Sequence, residues 1–200
     1  PVNASDLAYR LIAYSAANQT AIPKDISDLL ALQLTSGGFA PAQGVQATVL
    51  DTALALYALS LAKSTDLKAV QSGIGYLFAG QRSDGGWSFF AQSNDSSPYL
   101  TGMVMLALGR YSHLYKLSDA LTKGSNFLKG KQASDGSWGK GQDKVLETSL
   151  AILGLMSGLQ SVATEVGKGT AFLLTQQASN GSFASEDPFG TAYALRALDS

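Results

Sequence analysis

Cysteine is absent from this sequence of 200 residues. Its absence excludes disulfides, thiolate metal sites, a cysteine nucleophile and an internal thioester, and it leaves the redox compartment open. Charge is also scarce, at 14% of residues, against roughly 25% in an average soluble protein. The formal net charge is −1 and no basic stretch is present, so we expect no nucleic-acid partner. No uninterrupted apolar run approaches the roughly 20 residues of a membrane span.

Hydrophobic residues make up 46% of the chain, and 21 glycines accompany many alanines and serines. That fraction is enough to bury one core, and we assign residues 1–200 to a single domain. Small residues in such numbers suit helices that pack closely. Low charge with abundant Ser, Thr, Gln and Gly favours a secreted or cell-envelope protein of bacterial origin.

A seven-residue phrase occurs four times, with its copies 45 to 51 residues apart. Each copy begins with glutamine, carries one or two glycines and ends in Trp or Phe. The first and last residues are Gln33 and Phe39, Gln81 and Trp87, Gln132 and Trp138, Gln177 and Phe183. A fixed period of this length is typical of repeat architectures in which each unit buries its apolar face on the next.

Each phrase lies between two segments with helical patterning. The preceding segments are 23–33, 67–80, 117–131 and 163–176; the following ones are 47–62, 98–112, 144–158 and 188–200. Apolar residues recur at three- and four-residue spacing in the second set, which Thr48, Ser97 and Asp187 introduce as N-caps. The opening segment after Asn3 fits the same template without a partner. The pattern predicts an all-α array of four and a half helical hairpins, an α/α toroid or open arc, within a longer protein.

The phrase itself has a structural interpretation. The glycines of the phrase provide the positive φ that turns the chain at a helix end. They are Gly37, Gly85, Gly136 and Gly181, together with the second glycine of the first two copies. The aromatic residue supplies an apolar plate between neighbouring repeats, and the glutamine can bond the open helix termini. We therefore interpret the phrase as a packing element rather than a ligand contact.

The phrase extended backwards resembles the QW motif of squalene–hopene and oxidosqualene cyclases. The second copy matches at Gly73, Tyr76, Leu77, Gln81, Gly85 and Trp87, and the third at Gly124, Phe127, Leu128, Gln132, Gly136 and Trp138. The first copy is degenerate, with Asp28 in an aromatic position. The resemblance implies the α/α toroid of the terpene cyclases and protein prenyltransferases, in which the helices after the glycine loop form an inner ring. It places six residues at or near a central cavity: Asp51, Tyr57, Tyr99, Glu147, Phe189 and Tyr193.

The catalytic residues of these relatives are missing. The segment 48–53 corresponds to the cyclase acid motif, but only its last aspartate remains, as Asp51, and Leu50 stands where the protonating acid belongs. Asp51 also fits a capping box with Thr48. The zinc site of the prenyltransferases cannot be built without cysteine and with His113 alone. We predict no catalytic residue, no metal and no cofactor, and we interpret the polar loop 91–97 as solvated rather than as a contact for a sugar or cation.

The leading hypothesis is a non-catalytic binding or scaffold module of a larger bacterial protein. An apolar-aromatic cavity would hold a small ligand, or the arc would present a docking surface to a protein partner. One alternative is a part of a terpene-cyclase-like or prenyltransferase-like enzyme whose catalytic acids lie outside this chain. Another is a cobalamin-carrier-like domain, because binding in that branch of the superfamily depends on cavity shape.

Overall fold

A computed structural model describes residues 3–89, 95–158, 160–183 and 187–200. The described part of the chain forms nine α-helices and one 3₁₀ turn, and it contains no β-strand. Two isolated β-bridges, Gln33 with Phe39 and Trp87 with Ser97, brace the first two glycine loops. The helices are α1 (Ala4–Ala16), α2 (Pro23–Leu30), α3 (Val49–Leu61), α4 (Leu67–Ala79), α5 (Pro98–Gly109), α6 (Ser118–Lys131), α7 (Lys144–Met156), α8 (Ala163–Thr175) and α9 (Pro188–Leu198).

The helices form two concentric layers. The odd-numbered helices pack side by side in the order α1, α3, α5, α7, α9, and the even-numbered helices pack outside them. The inner helices α3, α5 and α7 are buried along most of their length. They therefore lack the one-sided apolar stripe of a surface helix. The predicted all-α arc of helical hairpins is confirmed.

The pairing within the hairpins differs from the prediction. Each outer helix packs against the inner helix that precedes it, so that α2 lies on α1, α4 on α3, α6 on α5 and α8 on α7. The opening helix α1 is therefore not without a partner. The cause is the length of the connections, because short turns join each inner helix to the next outer one, and such turns make consecutive helices antiparallel neighbours.

The starts of the inner helices follow the sequence signals. Four of the five inner helices have an N-cap side chain that accepts a hydrogen bond from a backbone N–H of the first turn. These caps are Asn3 for α1, Thr48 for α3, Ser97 for α5 and Asp187 for α9. The helix α7 is the exception, because it continues directly from the 3₁₀ turn Gly141–Asp143 and has no side-chain cap. The helix ends are less well predicted: α2 stops at Leu30 and α9 at Leu198. In the described residues no helix is both long and apolar enough to cross a bilayer.

Candidate functional site

The glutamine of each of the first three repeated phrases bridges two repeats. The Gln81 side-chain amide donates to the carbonyl of Gly85 in its own loop at 2.9 Å and to that of Ala120 in α6 at 2.9 Å. Gln33 makes the same pair of bonds to Gly37 and Ala69, and Gln132 to Gly136 and Glu165. In each case the second acceptor lies in the first turn of the next outer helix. The glutamine thus fixes the spacing between successive repeats.

A threonine in each of the last four inner helices holds the aromatic residue of the preceding phrase in place. The Thr101 hydroxyl oxygen accepts from the backbone N–H of Trp87 at 3.1 Å. The same bond recurs from Phe39 to Thr52, from Trp138 to Thr148 and from Phe183 to Thr191. The Trp87 indole N–H donates to the carbonyl of Leu77 at 2.7 Å. The recurrence of threonine at one position of α3, α5, α7 and α9 was a readable signal for this contact.

The glycine loop lies directly on the next outer helix. Gly85 has a φ of +89°, and a Cβ there would stand 2.4 Å from the carbonyl oxygen of Lys123. Positive φ is confined to the first of the paired glycines. The second, Gly86, is required because a Cβ would meet Ser96 at 2.6 Å. Side chains are thus excluded at both positions, for different reasons.

Replacing Gln81 with leucine is expected to lower the free energy of unfolding by about 1–3 kcal/mol, because two hydrogen bonds to backbone carbonyls are lost at one step. The matched control is Gln177→Leu, since Gln177 is exposed and its amide bonds Gly181 at 3.2 Å. Urea unfolding followed by circular dichroism measures both. Equal effects of the two substitutions would contradict a bridging role for Gln81.

The N-terminal ends of the inner helices bring three predicted site residues together. The buried Asp51 carboxylate accepts from Ser5 Oγ at 3.0 Å and from Thr48 Oγ1 at 2.6 Å, and the Asp51 N–H donates back to Thr48 at 2.9 Å. The predicted capping box is therefore formed only in its N-cap half, because the Asp51 carboxylate accepts from the Thr48 hydroxyl while the Thr48 N–H donates to the carbonyl of Phe39. The bond from Ser5 ties α1 to α3. Each oxygen of the carboxylate therefore accepts a hydrogen bond from the helix starts.

Tyr99, at the start of α5, lies near both Asp51 at the start of α3 and Glu147 at the start of α7. Burial raises the pKa of Tyr99 above its ordinary value, and the charges of Glu147 and Asp51 raise it further. Burial, together with neighbouring Asp143, raises the pKa of Glu147. The ring of Tyr99 also stacks on exposed Phe89, with 6.1 Å between centroids.

The last inner helix reaches across to the first two. The Tyr9 ring of α1 meets Phe189 of α9 edge-on, with 5.3 Å between centroids. Arg196 Nη2 donates to the hydroxyl of Tyr57 in α3, and its Cζ lies 5.0 Å from the Tyr57 ring centroid. The inner layer is therefore curved, with α9 facing α1 and α3.

A cavity of about 450 Å³ lies between these three helices. Its lining residues recur every three or four positions, so each helix contributes one face. Burial raises the pKa of Tyr9, and raises that of Tyr193 to about 12, so both phenols remain neutral near pH 7. The lining consists of Tyr9, Ile12, Ser15, Ala16, Tyr57, Leu61, Phe189, Ala192, Tyr193 and Arg196.

The six residues predicted for the cavity divide into two groups. Tyr57, Phe189 and Tyr193 lie in its wall, whereas Asp51, Tyr99 and Glu147 lie at the helix starts and are not among the lining residues. The sequence analysis missed Tyr9 and Arg196. Tyr9 lies in the opening helix, and Arg196 follows Phe189 by two turns, so the helical spacing contained a signal for both.

The described residues contain no group of three or more His, Cys, Asp or Glu side chains that could hold a metal ion. His113 is exposed in the turn that follows α5. Of the polar loop 91–97, residues 91–94 lie outside the described part of the chain.

No family model and no curated protein matches the sequence. Solved structures match in fold: ent-copalyl diphosphate synthase from Streptomyces platensis has a TM-score of 0.79 at 24% identity, over 98% of this chain and 39% of its own. The type II terpene cyclase MstE from Scytonema has a TM-score of 0.77 at 18% identity, over 96% of this chain and 60% of its own. A protein from Actinoplanes has a TM-score of 0.75 at 18% identity, and the match covers 97% of this chain and 63% of the Actinoplanes protein.

The chain shares the fold of the type II terpene cyclases. The resemblance drawn from the repeated phrases is thereby confirmed at the level of the fold. The terpene-cyclase fold does not by itself fix an activity, because function depends on the groups placed in the site. The chain spans less than two thirds of the length of these neighbours.

Proposed function

We propose that this chain binds a small apolar ligand in the cavity between α1, α3 and α9, without converting it chemically. The observation that carries the proposal is the composition of the wall, in which Tyr9, Tyr57, Phe189 and Tyr193 surround a space of about 450 Å³. A concave apolar surface with a few polar groups and a volume within roughly 300–1,000 Å³ is typical of a small-molecule site.

The positions of the acidic residues favour binding over catalysis. Protonating an alkene requires an acid within hydrogen-bond reach of the reacting carbon. Leu50 occupies the position that corresponds to the cyclase acid, and each Asp51 oxygen accepts a hydrogen bond, from Ser5 or Thr48. The described lining of the cavity contains no carboxylate.

An isoprenoid chain is the first ligand to test. A flexible hydrocarbon can follow the groove between three helices, and aromatic walls favour contact with its double bonds and methyl groups. The structure of a fold neighbour, the Scytonema cyclase, was determined in complex with geranylgeranyl dihydroxybenzoate. Cobalamin, a corrin with a nucleotide arm, is bulkier than this cavity favours, and a spectral titration would test it directly.

We expect farnesol to bind the purified protein, and Ala192→Trp to weaken that binding by at least about tenfold, because an indole at Ala192 fills the cavity. Ala192 is exposed, so the larger side chain is tolerated without disturbing the core. The matched control is Leu195→Trp, which adds an indole to the same helix at an exposed position outside the lining. Isothermal titration calorimetry measures all three proteins. Absence of farnesol binding, or equal loss in both variants, would contradict the proposed site.

A second candidate is that this chain forms one part of a larger terpene-cyclase-like enzyme. The observation that favours it is the coverage, since the chain spans 60% of the Scytonema cyclase and 39% of the Streptomyces platensis enzyme. Catalytic acids would then lie outside this chain. Incubating the longest natural form of the protein with geranylgeranyl diphosphate and analysing for cyclised products distinguishes this candidate from a binding module. A docking surface for protein, and a secreted or cell-envelope location in a bacterium, also remain proposals.

A further inference from the structure

The cavity has one charged group in its described lining, the guanidinium of Arg196. Its Nη2 donates to the Tyr57 hydroxyl, and its Cζ lies 5.0 Å from the Tyr57 ring centroid. Among the described residues, Arg10, Lys24 and Lys144 form ion pairs with carboxylates, whereas Arg196 forms none. No carboxylate in the described part of the chain therefore pairs with Arg196.

A half-buried cation without an anionic partner is unusual in an apolar wall. Removing a charge from water is unfavourable unless hydrogen bonds and an opposite charge compensate for it. Tyr57 supplies a neutral oxygen and an aromatic face, and a guanidinium carries five N–H donors. The C-terminal end of α9 favours a cation nearby, yet the side chain reaches across to α3 rather than to the carbonyls of its own helix.

The cavity also has two chemically different ends. Ser5 of α1 meets Asp51 at the start of α3, whereas Tyr57 meets Arg196 near the other end of the helices. Phe189 lies seven residues before Arg196, which is about 10 Å along a helix. The rings of Tyr9 and Phe189 line the first end, while the second end combines the apolar side chains of Ala16 and Leu61 with Arg196 and the hydroxyl-bearing Ser15.

We infer that the ligand is amphipathic and carries a single carboxylate, which the Arg196 guanidinium binds while the apolar body lies against Tyr9 and Phe189. A guanidinium presents paired donors that match both oxygens of a carboxylate. A diphosphate carries more than one negative charge, and the described lining offers one cation to meet it. This inference rests on the proposed function, because it assigns the chemical class of the ligand to the same cavity.

The test compares three probes that share one hydrocarbon chain: farnesoic acid, farnesol and farnesyl diphosphate. Calorimetry at pH 7.5 and low ionic strength is expected to show the acid binding about 10- to 100-fold more tightly than the alcohol, as for one charge-assisted hydrogen-bonded pair. Arg196→Gln is expected to remove that preference while farnesol affinity changes little. Arg196→Lys is expected to restore part of it. Lys68→Gln, which removes the same charge from exposed α4, is the control and is expected to retain the full preference.

The outcomes separate the two proposals. Equal affinity of the wild-type protein for the acid and the alcohol overturns the carboxylate inference while the apolar site stands, and this comparison needs no variant. Tighter binding of the diphosphate than of the acid also overturns it. Failure of all three probes to bind overturns the proposed function itself. Loss of the preference in Arg196→Gln, with circular dichroism unchanged and the preference kept in Lys68→Gln, supports the inference.

Discussion

Replacing Trp87 or Trp138 with alanine is expected to lower the free energy of unfolding by about 3–5 kcal/mol, as for other buried aromatic side chains. Both indoles are fully buried. Each packs against a glycine of the next outer helix, where a Cβ would stand 3.2 Å from the Trp87 ring at Gly124 and 2.9 Å from the Trp138 ring at Gly169. Truncation leaves a cavity between two repeats. It also removes the indole N–H that donates to the carbonyl of Leu77 in the case of Trp87, and to that of Leu128 in the case of Trp138. Guanidinium unfolding followed by circular dichroism measures the loss.

The first and fourth repeats provide the control for this prediction. Phe39 and Phe183 occupy the same position and are also fully buried. Trp87→Phe should therefore keep most of the apolar contact while losing the indole bond to the Leu77 carbonyl. We expect its effect to be clearly smaller than that of Trp87→Ala. An unchanged unfolding midpoint in Trp87→Ala would show that the Trp87 side chain does not hold neighbouring repeats together. The interpretation of the repeated phrase as a packing element would then be wrong.

The local features of the fold could be predicted because the sequence encodes them within a few residues. A threonine or serine before an apolar run caps the helix it introduces, whatever lies beyond it, as Thr48 and Ser97 do. A glycine between a glutamine and an aromatic residue turns the chain in the same way each time. Recurrence of these signals in four copies identified the repeat, its period and its all-α architecture, and the family resemblance implied the inner ring of helices.

The pairing of the helices could not be predicted in the same way. The inner helix α5 is buried from Leu100 to Leu108, so its apolar residues indicate no single partner face. The sequence analysis therefore joined helices through the glycine loops. The structure joins them through the shorter turns on the other side, because chain length limits how far consecutive helices can separate.

The candidate site depended on a property of the whole array. Whether Tyr9 meets Phe189 is decided by the small rotation between successive repeats, accumulated over all of them. No local pattern specifies that rotation. The sequence analysis therefore found the members of the wall that the family resemblance implies, such as Tyr57 and Tyr193. It missed Arg196, whose role follows from the closure between α9 and α3.

The backbones of α5 and α7 approach each other closely within the inner layer. A Cβ built on Gly102 would stand 2.5 Å from the carbonyl oxygen of Leu150, and one on Gly154 would stand 2.7 Å from the Cα of Gly102. Both glycines lie inside helices, where glycine is less favourable than alanine by roughly 1 kcal/mol. Their presence is explained by contact between the helix backbones, which a flexible side chain cannot relieve by moving aside.

Gly102→Ala is accordingly expected to destabilise the protein by about 3 kcal/mol or more, at the upper end of overpacking effects, although alanine favours the helix itself. The added methyl group must push α5 away from α7 and open the core between the middle repeats. The matched control is Gly75→Ala in α4, where the built Cβ has nothing within 4 Å. That substitution is expected to stabilise by about 0.4–1 kcal/mol. Opposite signs in urea unfolding would show that the α5–α7 contact leaves no room for a side chain and fixes the separation of these two helices. A stabilising Gly102→Ala would mean that the two helices can separate without loss, and that the curvature which brings α9 to α1 is set elsewhere.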